Sequence, residues 1–317
     1  MKIRNVVRKI NIKKRITLFP VLRYININKY LYLMVIPGMT LVVVFKYLPM
    51  YGILMAFKDF SFSKGIIGSP WNDFLYFRQL FTSKDFYNVF YNSILLSLLR
   101  IIFSFPAPII LAILLNEVRI KTFKRIIQTI IYLPHFVSWV VLTSMLFKLL
   151  SADDGLVNLL IRSIGFDSIS FLGNPVWFRP IVVFETIWKE AGWNTIIYLA
   201  ALTAIDSTLY EAAMVDGASR IRQIWHITLP GIAATIVVLL VLTVGRAMDN
   251  GFEQIFLLQN PINMPVSDVF ETYTYRMGLL KGEFSYSTAV GLFKSVVGLI
   301  LITGSNFVAR RFDQDGI

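Results

Sequence analysis

The chain has 317 residues, of which 56% are hydrophobic and only 16% are charged, and its mean hydropathy is +0.64. Soluble globular proteins are about half apolar and about a quarter charged, so this composition predicts an integral membrane protein. The absence of cysteine excludes disulfides, thiolate metal sites and cysteine nucleophiles, and two histidines are too few for a histidine-based metal cluster.

The first predicted element is a basic arm at residues 1–29, which contains no acidic residue. Ile3, Val6, Val7 and Ile10 fall on one helical face among its cations, a pattern typical of an amphipathic arm lying on anionic membrane lipid. A disordered basic tail that only fixes topology is the alternative. Because the net charge of +12 is concentrated beside apolar runs, it indicates a membrane partner and not nucleic acid. The cations of the arm are Lys2, Arg4, Arg8, Lys9, Lys13, Lys14, Arg15, Arg23 and Lys29.

Six apolar runs follow, each long enough to cross a hydrocarbon core about 30 Å thick. Such runs with few charges favour helices over the alternating pattern of a membrane barrel, so the fold class is all-α. Pro134-His135 in the third run predicts a kink with a hydrogen-bonded histidine that is not a ligand. The predicted spans are 30–47, 90–115, 126–150, 181–204, 231–257 and 287–308.

The bias of Lys and Arg between alternate loops orients the spans. One side carries roughly twice as many of these cations as the other, which predicts that both termini are cytoplasmic. The outer segments are then 58–88, 151–180 and 259–286, and loops of this length usually have a function. They are interpreted either as lids over helix ends or as the docking surface of an external substrate-binding protein.

The loop at 205–230, called here the coupling loop, carries charge and small residues between two apolar spans. Thr208-x-x-Glu211 has the spacing of a capping box. Gly217 is predicted to end a first short helix, and Arg220 to begin a second one. Pro230 is predicted to fix the entry into the fifth span, where a missing N–H costs little. The small side chains of Ala212, Ala213, Gly217 and Ala218 leave one flank open to close approach.

Polar residues within the spans suggest a path for a substrate. Arg246, Asp249, Asn250 and Glu253 recur at spacings of three and four, which predicts one helical face on which Arg246 pairs with Asp249. Gln254 lies one step round from this face. In the fourth span, Glu185, Lys189 and Glu190 occur among aromatic residues, and Arg100 is predicted to be structural or to line a cavity. Flat aromatic and planar polar groups suit sugars, which gives a candidate path of Trp188, Trp193, Asn194, Arg246, Asp249, Asn250, Glu253 and Gln254. A polar network inside the bundle is the alternative.

The coupling loop resembles the EAA motif of binding-protein-dependent ABC importer permeases. That motif reads Glu-Ala-Ala, three residues, Gly, nine residues, then Ile-x-Leu-Pro. The matching residues are Glu211, Ala212, Ala213, Asp216, Gly217, Ala218, Ile227, Leu229 and Pro230. Beyond the loop, segments such as 46–52, 132–139, 251–254 and 272–275 resemble the oligosaccharide permeases of Gram-positive bacteria, associated with aldouronate and similar polysaccharide fragments.

The resemblance implies a type I importer (MetI-like) fold with six transmembrane helices, in the bacterial cell membrane. The permease domain would be 30–317, with a core at about 90–310. The matching loop residues would dock on an ATPase, with Glu211 as the charged anchor and Gly217 as the point of close approach. The implied partners are a second homologous permease, two ATPase subunits, a lipid-anchored extracellular solute-binding protein and an oligosaccharide. ATP and Mg²⁺ would bind the ATPase, so this chain itself would hold no cofactor and would not be an enzyme.

The sequence leaves three alternative functions. An importer of a non-sugar solute would share the loop. An ion-coupled secondary transporter would show inverted repeats with broken helices, which the sequence does not display. A membrane enzyme would need a nucleophile–base pair or a metal site, for which two histidines and no cysteine leave little material. The sequence also has no Gly-rich phosphate loop ending in Lys and Ser or Thr.

Overall fold

The computed structural model describes Tyr24 and residues 27–311, and within these residues the secondary structure is helical without a β-strand. A single isolated bridge pairs Lys58 with Trp71. The chain divides into two units, Met1–Ile53 and Leu54–Ile317. The all-α prediction is confirmed, whereas the basic arm at 1–29 lies almost wholly outside the described residues.

Helix α1 spans Lys29–Phe57 and is long and apolar enough to cross a membrane. It is an α-helix over Lys29–Val42, a π-helix over Val43–Tyr47 and a 3-10 helix over Leu48–Phe57. The predicted end at residue 47 was ten residues short. Pro49 lacks an N–H and resembles a stop signal, but here it lies inside the tighter 3-10 part of the helix.

Two further helices are long enough to cross a membrane, α2 at Lys84–Glu117 and α10 at Phe284–Arg311. They contain the second and sixth predicted spans. Ser83 is the N-cap of helix α2, because its side chain accepts a hydrogen bond from the Phe86 N–H. The α-helical hydrogen-bond pattern of α2 changes to a π-helical turn at Arg100–Ser104, which ends two residues before Pro106. A proline removes one ladder hydrogen bond, and π-turns often mark functional positions.

The third predicted span is not one straight helix. It consists of α3 at Lys121–Phe136 and α4 at Trp139–Leu150, which are bent by 102°. The kink expected at Pro134 is confirmed, but the bend is far larger than a proline alone requires. The carbonyls freed at the break accept hydrogen bonds from Lys189, whose Nζ lies 2.7 Å from the His135 oxygen and 2.5 Å from the Val137 oxygen.

Helix α5 at Pro175–Thr203 contains the fourth predicted span and leads, through a 71° bend, into α6 at Ser207–Val215. Helix α7 at Arg220–Gly231 meets α8 at Ala233–Gly245 with a 62° bend. Pro230 thus lies near the end of α7 and not at the first turn of the span. The chain leaves the helical path after Gly245 and resumes it in α9 at Phe252–Leu258.

The single fifth span predicted at 231–257 is therefore wrong. Residues 246–251 form an irregular turn, in which the Asp249 N–H donates to the Arg246 carbonyl at 2.8 Å. Gly251 has φ +76°, a left-handed conformation that favours glycine. Because the helix stops here, Arg246, Asp249, Asn250 and Glu253 do not share one helical face.

Short helices fold the predicted outer segments onto the ends of the long ones. Ser285, near the start of α10, donates to the Lys58 carbonyl at 2.7 Å and accepts from the Phe60 N–H at 3.0 Å. These contacts agree with the interpretation of the outer segments as lids. The short helices are Gly65–Gly68, Leu75–Thr82, Leu156–Ser163, Met264–Ser267 and Phe270–Tyr275, the last continued by a π-turn at Arg276–Leu280.

Three apolar clusters hold the second unit together. One joins the start of α2 to α10 around Phe86 and Val290. Another joins the middle of α2 to α5 and α9 around Val182 and Ile255. The last joins the end of α2 to the end of α5 and the start of α8 around Tyr198. Helices α2 and α5 thus form the scaffold that carries the polar groups described next.

Candidate functional site

The coupling loop begins with a capped helix, but the cap is not the predicted one. The Asp206 side chain accepts from the Thr208 N–H at 3.0 Å, so Asp206 is the N-cap of α6. This backbone hydrogen bond lowers the pKa of the exposed Asp206 carboxyl. The capping box predicted for Thr208 and Glu211 is therefore wrong, and Glu211 is exposed within the helix. Its carboxylate is free for another contact.

Gly217 ends α6, as predicted. It has φ +72°, and its N–H donates to the Met214 carbonyl at 3.1 Å while the Ala218 N–H donates to the Ala213 carbonyl at 2.8 Å. This pair of hydrogen bonds is the Schellman motif, in which the residue after the C-cap takes the left-handed conformation. A Cβ at Gly217 would meet no atom within 4 Å, so the backbone conformation is what requires glycine here.

Hydrogen bonds join the second half of the coupling loop to its first half. Ser219 caps α7, as its side chain accepts from the Arg222 N–H at 3.4 Å. The buried Gln223 donates to the Ala218 carbonyl at 3.0 Å. The hydroxyls of Tyr210 and Thr228 lie 3.0 Å apart and join α6 to α7. The loop is thus a folded helix–turn–helix unit.

This unit exposes large apolar side chains on both sides of its turn. Val215, next to the turn, is 88% exposed. Arg220 lies 3.9 Å from Glu117 at the end of α2. Exposed apolar groups rimmed by polar ones mark sites of protein contact. The other exposed large apolar residues of the loop are Leu209, Met214, Ile221 and Trp225.

A buried polar network joins α2, α5 and the break after α8. The Arg100 guanidinium donates to the Asn250 carbonyl at 2.8 Å and to Gln254 Oε1 at 2.7 Å. Gln254 Nε2 donates to Glu185 Oε2 at 2.9 Å, and Thr143 donates to Glu185 Oε1 at 3.3 Å. A charge near the bilayer centre costs about 2.5–3.5 kcal/mol on insertion scales, and hydrogen bonds to charged groups contribute about 1.5–3 kcal/mol each. The network therefore offsets the cost of the charges it contains.

A second polar group lies on α10. Lys294 pairs with Glu271, and its Nζ is 3.8 Å from Asp249 Oδ1. The Asn250 N–H also approaches Glu271 Oε1, at 3.3 Å. Within the described residues no ion pair joins Arg246 to Asp249, so the predicted intrahelical pairing is wrong. Asp249 turns to α10 because the helix on which it was expected ends at Gly245.

Two cavities share Arg100 and Thr186 as lining residues. One, called the two-arginine cavity, has a volume of about 380 Å³. Its charged lining residues are Arg100 and Arg246, and among the described residues that line it there is no carboxylate. The remaining lining is apolar apart from five neutral polar residues, which are Ser104, Thr186, Asn194, Tyr198 and Thr243.

The other, called the acidic cavity, has a volume of about 440 Å³. Asp249 and Glu253 are exposed to it, whereas Asn250 and Gln254 contribute to its wall with side chains that are almost fully buried. Among the predicted path residues, Asn194 and Arg246 thus line one cavity, and Asp249, Asn250, Glu253 and Gln254 line the other.

The two predicted tryptophans lie outside both linings. Trp193 stacks on His135, with ring centroids 4.7 Å apart and an interplanar angle of 3°, and His135 Nδ1 lies 2.9 Å from Glu190 Oε2. The histidine is thus satisfied, as predicted. Trp188 is an exposed side chain on α5. The tryptophan that does line the acidic cavity is Trp139, the first residue of α4.

Neither Trp139 nor Thr186 is predicted as a path residue from the sequence, which also leaves two roles open for Arg100. Trp139 follows directly on Ser138, the N-cap of α4. The proline at 134, which predicts a break in the span, was therefore the one feature of the sequence that pointed to this position. Thr186 neighbours Glu185 but is uncharged, and no pattern distinguishes it from other threonines in helices. Their positions depend on contacts between distant parts of the chain.

Comparisons with known proteins agree with these features. A family model described as "Binding-protein-dependent transport system inner membrane component" matches residues 104–315. Protein LplB of Bacillus subtilis is 52% identical over 290 residues, which cover 92% of this chain and 91% of that protein. The polygalacturonan/rhamnogalacturonan transport system permease protein YteP of Bacillus subtilis is also 52% identical over 290 residues, covering 92% and 90%.

The fold also matches a solved structure. A chain of a bacterial alginate ABC transporter, in complex with an alginate pentasaccharide-bound periplasmic protein, aligns with a TM-score of 0.86 and 41% identity. The alignment covers 93% of this chain and 99% of that chain.

Proposed function

The chain belongs to the family of binding-protein-dependent transport system inner membrane components, and on that premise we propose that it imports oligosaccharides bearing carboxylates, as one of two membrane subunits. Membership places it among the non-enzymatic membrane components of ABC transporters, in which ATP hydrolysis belongs to a separate subunit. ATP and Mg²⁺ would accordingly bind that subunit. A lipid-anchored extracellular solute-binding protein and a second homologous permease would complete the transporter.

The folded coupling loop is the observation that carries the proposal. Helices α6 and α7 are held together by the turn at Gly217 and by the Tyr210–Thr228 contact. Their exposed surface includes Glu211 and Val215 and has small residues around the turn. This shape fits a groove on a motor subunit, with Glu211 as the charged anchor. The proposed ATPase-docking residues are those of the EAA motif between Glu211 and Pro230.

The same loop connects directly to the helices that line the two cavities. It follows the end of α5 at Thr203 and precedes the start of α8 at Ala233. Asn194 is nine residues before Thr203, or about 14 Å along a helix. Closure of an ATPase pair would therefore move α5 and α8 together through the loop. We infer alternating access in which this motion opens the cavities outward, and ATP hydrolysis restores the inward-open state.

The two-arginine cavity supports a substrate with carboxylates. The exposed Arg246 faces it, Arg100 lies in its wall, and no carboxylate occurs in the described lining, so the Arg246 guanidinium is available to bind a substrate carboxylate. The relative YteP is named for polygalacturonan and rhamnogalacturonan transport, and the solved relative for alginate. Polygalacturonan and alginate are polymers of uronic acids, which bear a carboxylate on each sugar. We therefore place acidic polysaccharide fragments first among the candidate substrates.

Six membrane spans with both termini in the cytoplasm complete the proposal. Among residues 27–311, three helices are long and apolar enough to cross, and the count becomes six when each bent pair is one span. The distribution of Lys and Arg supports the orientation, and the family description supports a location in the cell membrane. The domains would then be the basic arm at 1–29 and the permease at 30–317.

Co-purification tests the docking of the ATPase. We expect Glu211→Lys and Gly217→Asp to lose the ATPase that co-purifies with the wild-type transporter, because one reverses the anchor charge and the other strains the turn. Glu283→Lys, an exposed charge reversal in a predicted outer segment, is the control and should retain the ATPase. Retention of a full complement of ATPase by Glu211→Lys and Gly217→Asp would contradict the proposal.

Uptake measurements test the substrate. A deletion strain should fail to grow on a subset of polysaccharide fragments, and labelled uronate oligosaccharides should accumulate in wild-type cells only. Wild-type cells that take up neutral oligosaccharides while the uronate fragments are excluded would contradict the assignment of the substrate.

A further inference from the structure

Helix α3 carries a polar stripe along its whole length. Lys121, Lys124, Arg125, Gln128, Tyr132 and His135 follow at spacings of three, four and seven, which puts them on one face of a helix. The opposite face carries Phe123, Ile126, Ile130 and Leu133, all of which are exposed. The two faces of α3 are therefore sharply different, although none of the residues Lys121–Tyr132 is buried.

The cations of the stripe have no internal counter-charge. The sequence contains no Asp or Glu between Glu117 and Asp153. In the described part of the chain, Lys121, Lys124 and Arg125 form no ion pair. In a membrane-spanning chain an exposed apolar face contacts lipid, and ionisable groups face the bundle interior or a water-filled cavity. The polar stripe thus suits an aqueous passage lined by positive charge.

The far end of the stripe reaches the groups around the two cavities. His135 stacks on Trp193 and contacts Glu190, and Trp193 precedes Asn194, which lines the two-arginine cavity. Lys189 holds the carbonyls at the end of α3 and lies 5.2 Å from the ring of Trp139, which lines the acidic cavity. The stripe therefore runs from the neighbourhood of the cavities, at His135, back to the start of α3 at Lys121.

We propose that this polar stripe is the lane along which a carboxylate-bearing oligosaccharide leaves the cavities toward the cytoplasm. The inference rests on the proposed function, because it takes the substrate and the orientation from it. Trp193, stacked on His135 and 40% exposed, offers its uncovered ring surface to a sugar at the start of the lane. Gln128 and Tyr132 bind hydroxyls, and the three cations attract the carboxylates. Exposed ion pairs contribute about 0.2–1 kcal/mol each, which draws the sugar inward without retaining it.

Single cysteines test the lane directly, because the chain has none of its own. The assembled transporter carrying Gln128→Cys or Ile130→Cys is placed in inside-out vesicles and treated with a charged maleimide. The probe is a pool of galacturonate and mannuronate oligomers, and the same pool with its carboxyls reduced to alcohols is the neutral comparison. We expect the maleimide to label Gln128→Cys but to label Ile130→Cys only slightly. The acidic pool should slow the labelling of Gln128→Cys at least about fivefold, whereas the neutral pool should leave it unchanged.

Three results would overturn the lane. Labelling of Gln128→Cys without protection by the acidic pool would place the stripe on the membrane surface against lipid headgroups. Equal protection of Gln128→Cys by the acidic and the neutral pool would show that the three cations of the stripe do not attract carboxylates. Labelling of Ile130→Cys in place of Gln128→Cys would reverse the faces. Uptake by intact cells that carry the same cysteine variant is measured in parallel, so a transporter that takes up no acidic oligomer refutes the proposed function, and one that takes it up without protection of the cysteine refutes only the lane.

Neutralisation of the cations gives an independent measure. The double variant Lys124→Gln/Arg125→Gln should require about 5- to 10-fold more of the acidic pool to protect a cysteine at position 128. The double variant Arg119→Gln/Arg222→Gln, which removes two exposed charges outside the stripe on the same predicted side of the membrane, is the matched control and should leave protection unchanged. Equal effects of the two double variants would show that only the general charge of the inner surface matters.

Discussion

At the scale of single residues, Gly217 provides the left-handed backbone conformation that the turn of the coupling loop requires. Its φ of +72° costs an L-residue with a Cβ about 1–2 kcal/mol. We expect Gly217→Ala to destabilise the turn by about 1 kcal/mol and to lower ATPase retention severalfold, with Gly217→Asn less affected because Asn tolerates this conformation. Gly304→Ala is the control, since Gly304 lies in α10, has no positive φ and also has open space around it. A retention that is equal in Gly217→Ala and Gly304→Ala would refute this role.

Asp206 has a second local role, as the cap of α6. Its lowered pKa means that the cap contributes stability above the ordinary carboxyl range and loses it as the pH falls through the lowered pKa. We expect Asp206→Ala to increase hydrogen exchange at the amides of Thr208 and its neighbours at neutral pH, whereas Asp206→Asn retains the protection because its amide oxygen still accepts a hydrogen bond. Unchanged exchange in Asp206→Ala would contradict the assignment of the cap.

The sequence predicted Gly217 correctly and the cap incorrectly, for physical reasons. A glycine after a short helical pattern has few roles other than a left-handed turn. Asp206, Ser207 and Thr208 are all good caps, and the backbone conformation selects among them. That selection depends on where α5 ends, which contacts with the rest of the bundle determine.

At the scale of elements, the break between α8 and α9 gives two arginines opposite roles. Arg100 is bonded to the Asn250 carbonyl and to Gln254, whereas Arg246 is exposed and lines the two-arginine cavity. We expect Arg100→Met to lower the free energy of unfolding by about 3 kcal/mol, because buried acceptors are left unsatisfied. Arg246→Met should change it by less than about 0.5 kcal/mol, yet slow the uptake of acidic oligosaccharides.

Thermal unfolding of the detergent-solubilised transporter and uptake by vesicles measure these two effects separately. A loss of stability in Arg246→Met as large as that in Arg100→Met would show that both arginines are structural. Unchanged uptake by Arg246→Met would remove this residue from the substrate path.

The break between α8 and α9 is not predicted from the sequence. Spacings of three and four among Arg246, Asp249, Asn250 and Glu253 also occur by chance in a turn, and the apolar run on either side continues smoothly. Gly245 and Gly251 flank the interruption and were the only local sign of it. The energy that stabilises the break comes from Arg100 and Lys294, more than 40 residues away along the chain.

At the scale of the whole molecule, the helical fold and its long spans follow from composition and apolar periodicity. The sharp bend between α3 and α4 does not, because Lys189 of α5 holds the carbonyls at the break. The distribution of charge predicts that alternate loops face opposite sides of the membrane. Single cysteines at Ser63 and Ser219, both exposed, should therefore react with an impermeant maleimide from the outside and from the inside, respectively. Reaction of both positions from the same side would contradict the number of spans between them.

The central claim is that the coupling loop docks on an ATPase inside the cell. Cross-linking from a cysteine introduced at the exposed Val215 of the assembled transporter tests it most directly. We predict a covalent adduct with the ATPase subunit, formed in inside-out vesicles, that weakens when Glu211→Lys is added. Labelling of this cysteine from the outside of intact cells, or a cysteine at 215 that never yields an adduct with a nucleotide-hydrolysing subunit, would contradict the claim.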